Sequence, residues 1–386
     1  MVNTKTEEIY WTALHKLWED LPHSGRIMRT LQVATSGAFL WNASAMELAE
    51  RLPELPVEYV QKLTETRRQY DLNKIESYLV AHDIHVMLYK NPAYPALLKE
   101  IHQPPALFYW KGTLFDAPLN IAMVGSRKAD RYGLDTAEKL ASEFSLLGIP
   151  VISGLAKGID AASHKGAILH SGGTIAVQGC GMDQIYPKEN KALAEAILQH
   201  ENGCILSEFP IGSKPLPWHF PSRNRIISGL AQGVVIVQAA RKSGAYITVE
   251  TALEQGRDVF AVPGQIYNPL SEGPHQLLKE GAQLVTCAED VLTNYGFTFK
   301  TTKKENKAKP AEQQMSLFVN QSVCSNLNLS KDETHVLNLF SSNPLSIEEL
   351  SYLSKLPMAE LMAILSMLEL YGLIEPMVGR KYIRIG

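Results

Sequence analysis

The hydrophobic pattern of residues 121–153 changes period twice. Ile121, Ala122, Met123 and Val124 form a continuous apolar run that breaks on Gly125, Ser126 and Arg127; residues 132–147 then carry apolar groups at helical spacing, and a second apolar run opens at Pro150. Short buried run, glycine turn and amphipathic stretch read as strand, loop, helix and strand, the opening unit of a parallel α/β sheet. The alternation continues, with helices predicted over 159–169, 188–199, 225–231 and 248–255, and strands over 174–177, 204–207, 233–237 and 258–262. Parallel strands joined by crossover helices build a doubly wound sheet, whose ligands bind beyond the carboxyl ends of the strands. The loops after the strands are therefore where chemistry is expected.

On either side of this region the pattern differs. Ile9, Ala13, Leu14 and Leu17 share a helical face, and apolar groups recur at Ile27, Leu31, Leu48 and Leu63, which predicts a small domain of three or four helices with Trp11, Trp18 and Trp41 in its core. Residues 84–89 and 107–110 read as strands that could extend the edge of the sheet, separated by a stretch punctuated by Pro92, Pro95, Pro104 and Pro105. Residues 301–314 are polar and read as a flexible linker. Beyond them, Val336, Leu337, Leu339 and Phe340 mark a helix, Ser346 with Glu349 caps a second, a third runs to Leu370, and two short strands come last. That order predicts a winged helix. Its third helix carries Glu360 and Glu369 and no Lys or Arg, which favours protein contact or self-packing over duplex phosphates. The expected domains are 1–75, 76–298 and 330–386, with 299–329 as linker.

A length of 386 residues suits two or three domains, and 45% hydrophobic with 20% charged residues is a globular composition. The net charge of −3 does not advertise a polyanionic partner, although a whole-chain sum hides a local basic face. Cys180, Cys204, Cys287 and Cys324 lie far apart without metal-type spacing, so a reduced compartment and no structural metal or cofactor are expected. The N-terminus is charged and lacks a signal-peptide core, and no run approaches the ~18–20 apolar residues of a membrane helix. A soluble, cytoplasmic protein with no membrane partner is the expectation.

The predicted loops carry glycines and cations. Gly125, Ser126 and Arg127 precede a helix whose first amides lack internal partners, and Arg127 adds a full charge to this positive end. The same loop also suits an ordinary tight turn. After the next strand, Gly154 and Gly158 flank Lys157 in a second cradle, with Asp160 placed to cap the helix and His164 packed beside it. Between Phe209 and Val249 stand Lys214, Arg223, Arg225, Arg241 and Lys242 and no Asp or Glu, with Trp218, His219 and Phe220 interleaved and Asn224 between two arginines. Cations neutralise phosphates while aromatic faces take unstacked bases, the combination single strands require. Solvated basic residues with buried aromatics is the bland alternative. Ser243 and Gly244 open a third cradle ahead of Thr248 and Glu250. This loop is similar to that of Rossmann-like nucleotide hydrolases of the lysine-decarboxylase-like group, whose Glu is catalytic, so Glu250 keeps an enzyme in play.

Taken together, Gly125-Ser126-Arg127, SGLAKGIDAASHKGAI at 153–168, GCGMDQIYPKEN at 179–190, SEFPIGSKPLPWHFPSRNRIISGLA at 207–231 and KSGAYITVETALEQGRDVFAVPG at 242–264 resemble the DNA-processing protein A family, also called DprA or Smf. The resemblance implies an extended Rossmann-like sheet with a helical N-terminal domain and a winged helix. It also implies a homodimer that binds and protects incoming single-stranded DNA without catalysis and helps load the recombinase RecA during natural transformation. By that resemblance Arg127, Lys214 and Arg225 hold phosphates, Gly125 and Ser126 contribute from the first loop, and Phe220 meets a base. Lys157, Arg223, Asn224, Lys242 and Gly244 join the candidate site from charge and position.

Overall fold

A computed structural model of the chain describes residues 6–114, 117–241, 243–297, 330–340, 345–371, 373–377 and 381–384. The chain divides into two compact units, Met1–Thr302 and Lys303–Gly386. The predicted linker at 301–314 and Lys242 lie outside the described residues.

The strands of the first unit are β1 (His85–Leu88), β2 (Leu107–Gly112), β3 (Ile121–Val124), β4 (Val151–Ser153), β5 (Thr174–Val177), β6 (Gly203–Ser207), β7 (Gly233–Ile236), β8 (Asp258–Ala261) and β9 (Gln283–Leu284). They form one sheet in the order β1-β2-β6-β5-β4-β3-β7-β8-β9. Ile121 of β3 lies opposite Val151 of β4 and Gly233 of β7, both parallel. The chain steps outward from β3 to β6, crosses to the other side of β3 at β7, and continues to β9, which leaves a crevice between the loops after β3 and β7. Strands β3 to β7 are buried throughout, as their apolar runs require of a parallel sheet covered on both faces. The antiparallel β1 and β2 extend the edge at β6, where Tyr109 opposes Ser207.

Six helices precede the sheet, α1 (Glu7–Leu17), α2 (Ser24–Ala34), α3 (Gly37–Asn42), α4 (Ala45–Arg51), α5 (Val57–Thr66) and α6 (Leu72–Ala81), where the sequence predicted three or four. Ser36, Ser44 and Asp71 cap α3, α4 and α6 and cut the segment into shorter pieces than its apolar spacing suggests. Trp11 and Trp18 are fully buried and Trp41 nearly so. These helices share their core with the sheet: Trp11 and Leu14 belong to the same cluster as Leu107, Tyr109 and Ile205. Gln32 reinforces the seam by donating from Nε2 to the Ala106 carbonyl at 2.9 Å. The helices and the sheet fall within one compact unit, Met1–Thr302.

The remaining helices of this unit are α7 (Ala96–Glu100), α8 (Arg131–Leu146), α9 (Ile159–Ala167), α10 (Lys191–Gln199), α11 (His219–Gly229), α12 (Gly244–Glu254), α13 (Glu272–Lys279) and α14 (Ala288–Leu292). Both α11 and α12 start earlier than the predicted 225 and 248. The buried face of α11 is His219, Arg223, Ile226 and Ile227, a helical spacing whose first members are charged or polar and so escape an apolar count. Pro221 falls in its first turn, where a missing N–H forfeits no hydrogen bond.

The second unit packs α15 (Lys331–Leu339), α16 (Ile347–Ser354) and α17 (Met358–Leu370) around Val336, Leu350, Leu361 and Leu365. Strands β10 (Leu345–Ser346), β11 (Ile374–Met377) and β12 (Lys381–Arg384) form a small sheet in the order β10-β12-β11. Ser346 and Glu349 make the expected capping box, and Ser330 with Glu333 makes another. This is the predicted winged helix. Among the described residues no helix is long and apolar enough to cross a membrane.

Candidate nucleic-acid interface

The loops after β3, β4 and β7 meet where the sheet switches direction. Ser126 N donates to the Gln238 carbonyl at 2.6 Å, and Ile159 N donates to the Ser126 carbonyl at 3.2 Å. Gly158 permits this contact: its φ is +77°, and a Cβ there would stand 2.1 Å from the Ser126 oxygen. With the first turns of α11 and α12, these loops enclose a groove of about 690 Å³ lined by Gly125, Ser126, Arg127, Phe220, Asn224 and Gly244. Arg223, Lys128 and Tyr186 line it too.

The expected anion cradles are not equivalent. At the start of α8, Asp130 accepts from Gly133 N at 2.9 Å, Gln238 Nε2 at 2.8 Å and Asn268 Nδ2 at 2.7 Å. The Gly133 amide is the main cause holding the Asp130 carboxyl below the usual carboxylate range, so this dipole end already faces a protein carboxylate. At α9 the Ile159 amide is occupied by Ser126. At α12, by contrast, Ser243 makes no capping bond and its Oγ is buried without a partner. Gly244 is exposed, and a Cβ on it would meet nothing within 4 Å. This start is open to the groove and suits an oxyanion.

The cations also separate. Arg127 places its guanidinium 5.2 Å from the centre of the Phe220 ring, and the Tyr186 ring lies 5.5 Å from it, inclined at 44°. Arg223 is buried and donates to the carbonyls of Gly154 and Val177, tying together the ends of β4 and β5. Burial pulls its pKa down to about 10. Arg225 does not reach the groove: Glu208 holds its Nη2 at 2.5 Å, and both side chains are largely buried. The acid-free stretch is therefore not unpaired, because the residue preceding it neutralises one of its arginines. Lys157 pairs at 2.6 Å with Glu189, exposed and outside the lining. Lys214 is exposed beside Pro215, which does line the groove, without lining it itself. Asn224 Nδ2 donates to the Gly244 carbonyl at 3.4 Å.

Asp160 does not cap α9; its carboxylate accepts from Ala156 N at 3.4 Å, and burial raises its pKa against the pull of Arg223. His164 is fully buried. Its Nε2 accepts from Leu155 N at 3.2 Å, so Nδ1 carries the proton and donates to Thr174 Oγ1 at 2.8 Å. Thr174 passes the chain on to the Val151 carbonyl at 2.5 Å. This relay holds Leu155 at φ +55°, an unusual backbone for leucine, and so shapes the second loop. The candidate residues left out Lys128, the neighbour of Arg127, and Tyr186, within the motif at 179–190, both of which line the groove. Glu250 is exposed on the second turn of α12, because that helix starts at Gly244, and it is not part of the groove lining.

Residues 85–296 match the family described as DNA recombination-mediator protein A, and residues 325–380 match the DprA winged helix domain. The chain is 38% identical over 281 residues to the DNA processing protein DprA of Bacillus subtilis, across 72% of this chain and 88% of that protein. Against DprA of Streptococcus pneumoniae identity is 41% over 249 residues, 64% of this chain and 84% of that protein. Protein Smf of Escherichia coli is 44% identical over 223 residues, 57% and 59% of the two chains. An X-ray structure of DprA from Streptococcus pneumoniae aligns with a TM-score of 0.64 at 35% identity, covering 77% of this chain and 100% of that one. DprA from Helicobacter pylori, described for its unique single-stranded DNA binding mode, aligns with a TM-score of 0.50 at 29% identity over 55% and 95%. With the sheet region and the winged helix both matched in chain order, the protein belongs to the DprA/Smf family.

Proposed function

We propose that the protein is a single-stranded DNA-binding recombination mediator. One arrangement carries the reading: the groove joins an arginine over an aromatic ring to a helix start that Ser243 leaves without a side-chain cap. Phosphates would bind Arg127 and the amides of α12, while Phe220 and Tyr186 offer faces to unstacked bases. Contacts of this kind carry little base information, so binding tolerates sequence. The description of the Helicobacter pylori relative supports the polymer, and the family description supports the role in recombination. In this reading the protein acts in the cytoplasm as a homodimer, shields incoming strands during natural transformation and passes them to RecA without a catalytic step. The hydrolase alternative has its acid, Glu250, outside the groove.

The test is fluorescence anisotropy with a single-stranded oligonucleotide and a duplex of equal length across a salt series. Single strands bind more tightly, with a log–log salt slope of about −0.7 per phosphate neutralised. Arg127→Glu weakens binding at least about tenfold and flattens that slope. Equal affinity of Arg127→Glu and parent sinks the assignment. Strand exchange by RecA on oligonucleotides coated with single-strand binding protein tests the handover, which requires acceleration by this protein.

A further inference from the structure

Pro215 and Pro217 line the groove, and the residues just before them meet the N-terminal helical segment. Resting on the single-strand reading above, we propose that the helical segment is a positioning element for DNA binding, with Glu19 and Ser213 as its latch. Ser213 is buried, and its Oγ donates to the Glu19 carboxylate across 194 positions of sequence. Lys16 Nζ fixes the other Glu19 oxygen at 2.6 Å. From the sheet side, the Ser213 carbonyl accepts from Gly181 N at 2.9 Å and from Gln184 Nε2 at 2.9 Å, and Gly212 N donates to Asp183 at 2.7 Å. Pro210 and Ile211 share a pocket with Thr12 of α1, Ile75 and Tyr78 of α6, and Tyr70 just before α6.

Ser213 is thus gripped on one side by the sheet's own loop and on the other by the helices. The next residues along the chain are Lys214, Pro215, Leu216 and Pro217, and both prolines line the groove. Prolines lock φ, so a shift at Ser213 moves Lys214 and the lining prolines together instead of being absorbed. The helices set where this rim cation stands.

The experiment uses the full chain and two readouts, anisotropy with a single-stranded oligonucleotide and hydrogen exchange of the 212–218 segment without DNA. Glu19→Ala and Ser213→Ala weaken binding about three- to tenfold and speed exchange in that segment, as expected for one lost hydrogen bond. Ser213→Thr, which keeps the hydroxyl, behaves like the parent. Adding Glu19→Ala to Lys214→Ala weakens binding no further. Parent-like affinity and exchange in both alanine variants overturn the latch, as does a Glu19→Ala effect that stays undiminished beside Lys214→Ala. Should Glu19→Ala not fold, Ser213→Ala carries the test. A parent protein that binds no single strand defeats the functional reading, while the exchange data still judge the latch.

Discussion

Arg223, Asn224 and Arg225 are consecutive on α11, yet the helix turns them to different tasks. A step of two residues rotates about 200°, so Arg223 faces the loops beyond β4 and β5 while Arg225 meets Glu208. Arg225→Ala is accordingly expected to lower stability by about 1–3 kcal/mol, because it strands a largely buried carboxylate, and to leave single-strand affinity near that of the parent. Chemical denaturation beside anisotropy separates the two effects. His164, fully buried, and His15, partly buried, carry a pH dependence. Burial pushes His164 down to about 3 and His15 down to about 4, so the folded protein refuses protons that the unfolded chain accepts near its ordinary value of about 6.5. Stability therefore falls as pH drops from about 6.5 towards 4.5, before most carboxylates titrate. Urea midpoints across that window should show it, and His164→Gln should show a shallower fall from a lower starting point.

At the scale of elements, the site is a matter of which loop touches which. Gly158 and Gly244 both sit at helix starts and look alike in sequence, but only Gly158 bears positive φ and meets protein backbone. Gly158→Ala should lower the melting temperature by several degrees, since its Cβ would displace Ser126. Gly244→Ala should leave the melting temperature unchanged and weaken single-strand binding, because the added methyl enters only the space proposed for the ligand. Thermal melts and anisotropy on the pair decide it. The elements themselves were largely legible. Continuous apolar strands between amphipathic helices need no tertiary information to read, whereas the true start of α11 was hidden because its buried face includes His219 and Arg223, and that of α12 because it opens on Gly244 and buries no residue before Thr248.

For the whole molecule, the two compact units make a separable claim. The groove is built entirely within the first, so a chain ending at Thr302 should retain single-strand affinity within about threefold of the full protein. Loss of binding on truncation would instead assign DNA contact to the winged helix. By itself the sequence determined the α/β alternation, the edge strands, the winged helix and the glycine loops that mark the sheet's functional rim, since all of these come from local periodicity and turn chemistry. It also carried the family motifs. Only the tertiary structure decided which cations remain available: Glu208 and Glu189 stand 17 and 32 positions from Arg225 and Lys157 and meet them through folding alone. Folding likewise merged the helical segment into the sheet's core. Charge pairing and shared burial act through space between residues far apart in sequence, and a linear pattern holds no record of those distances.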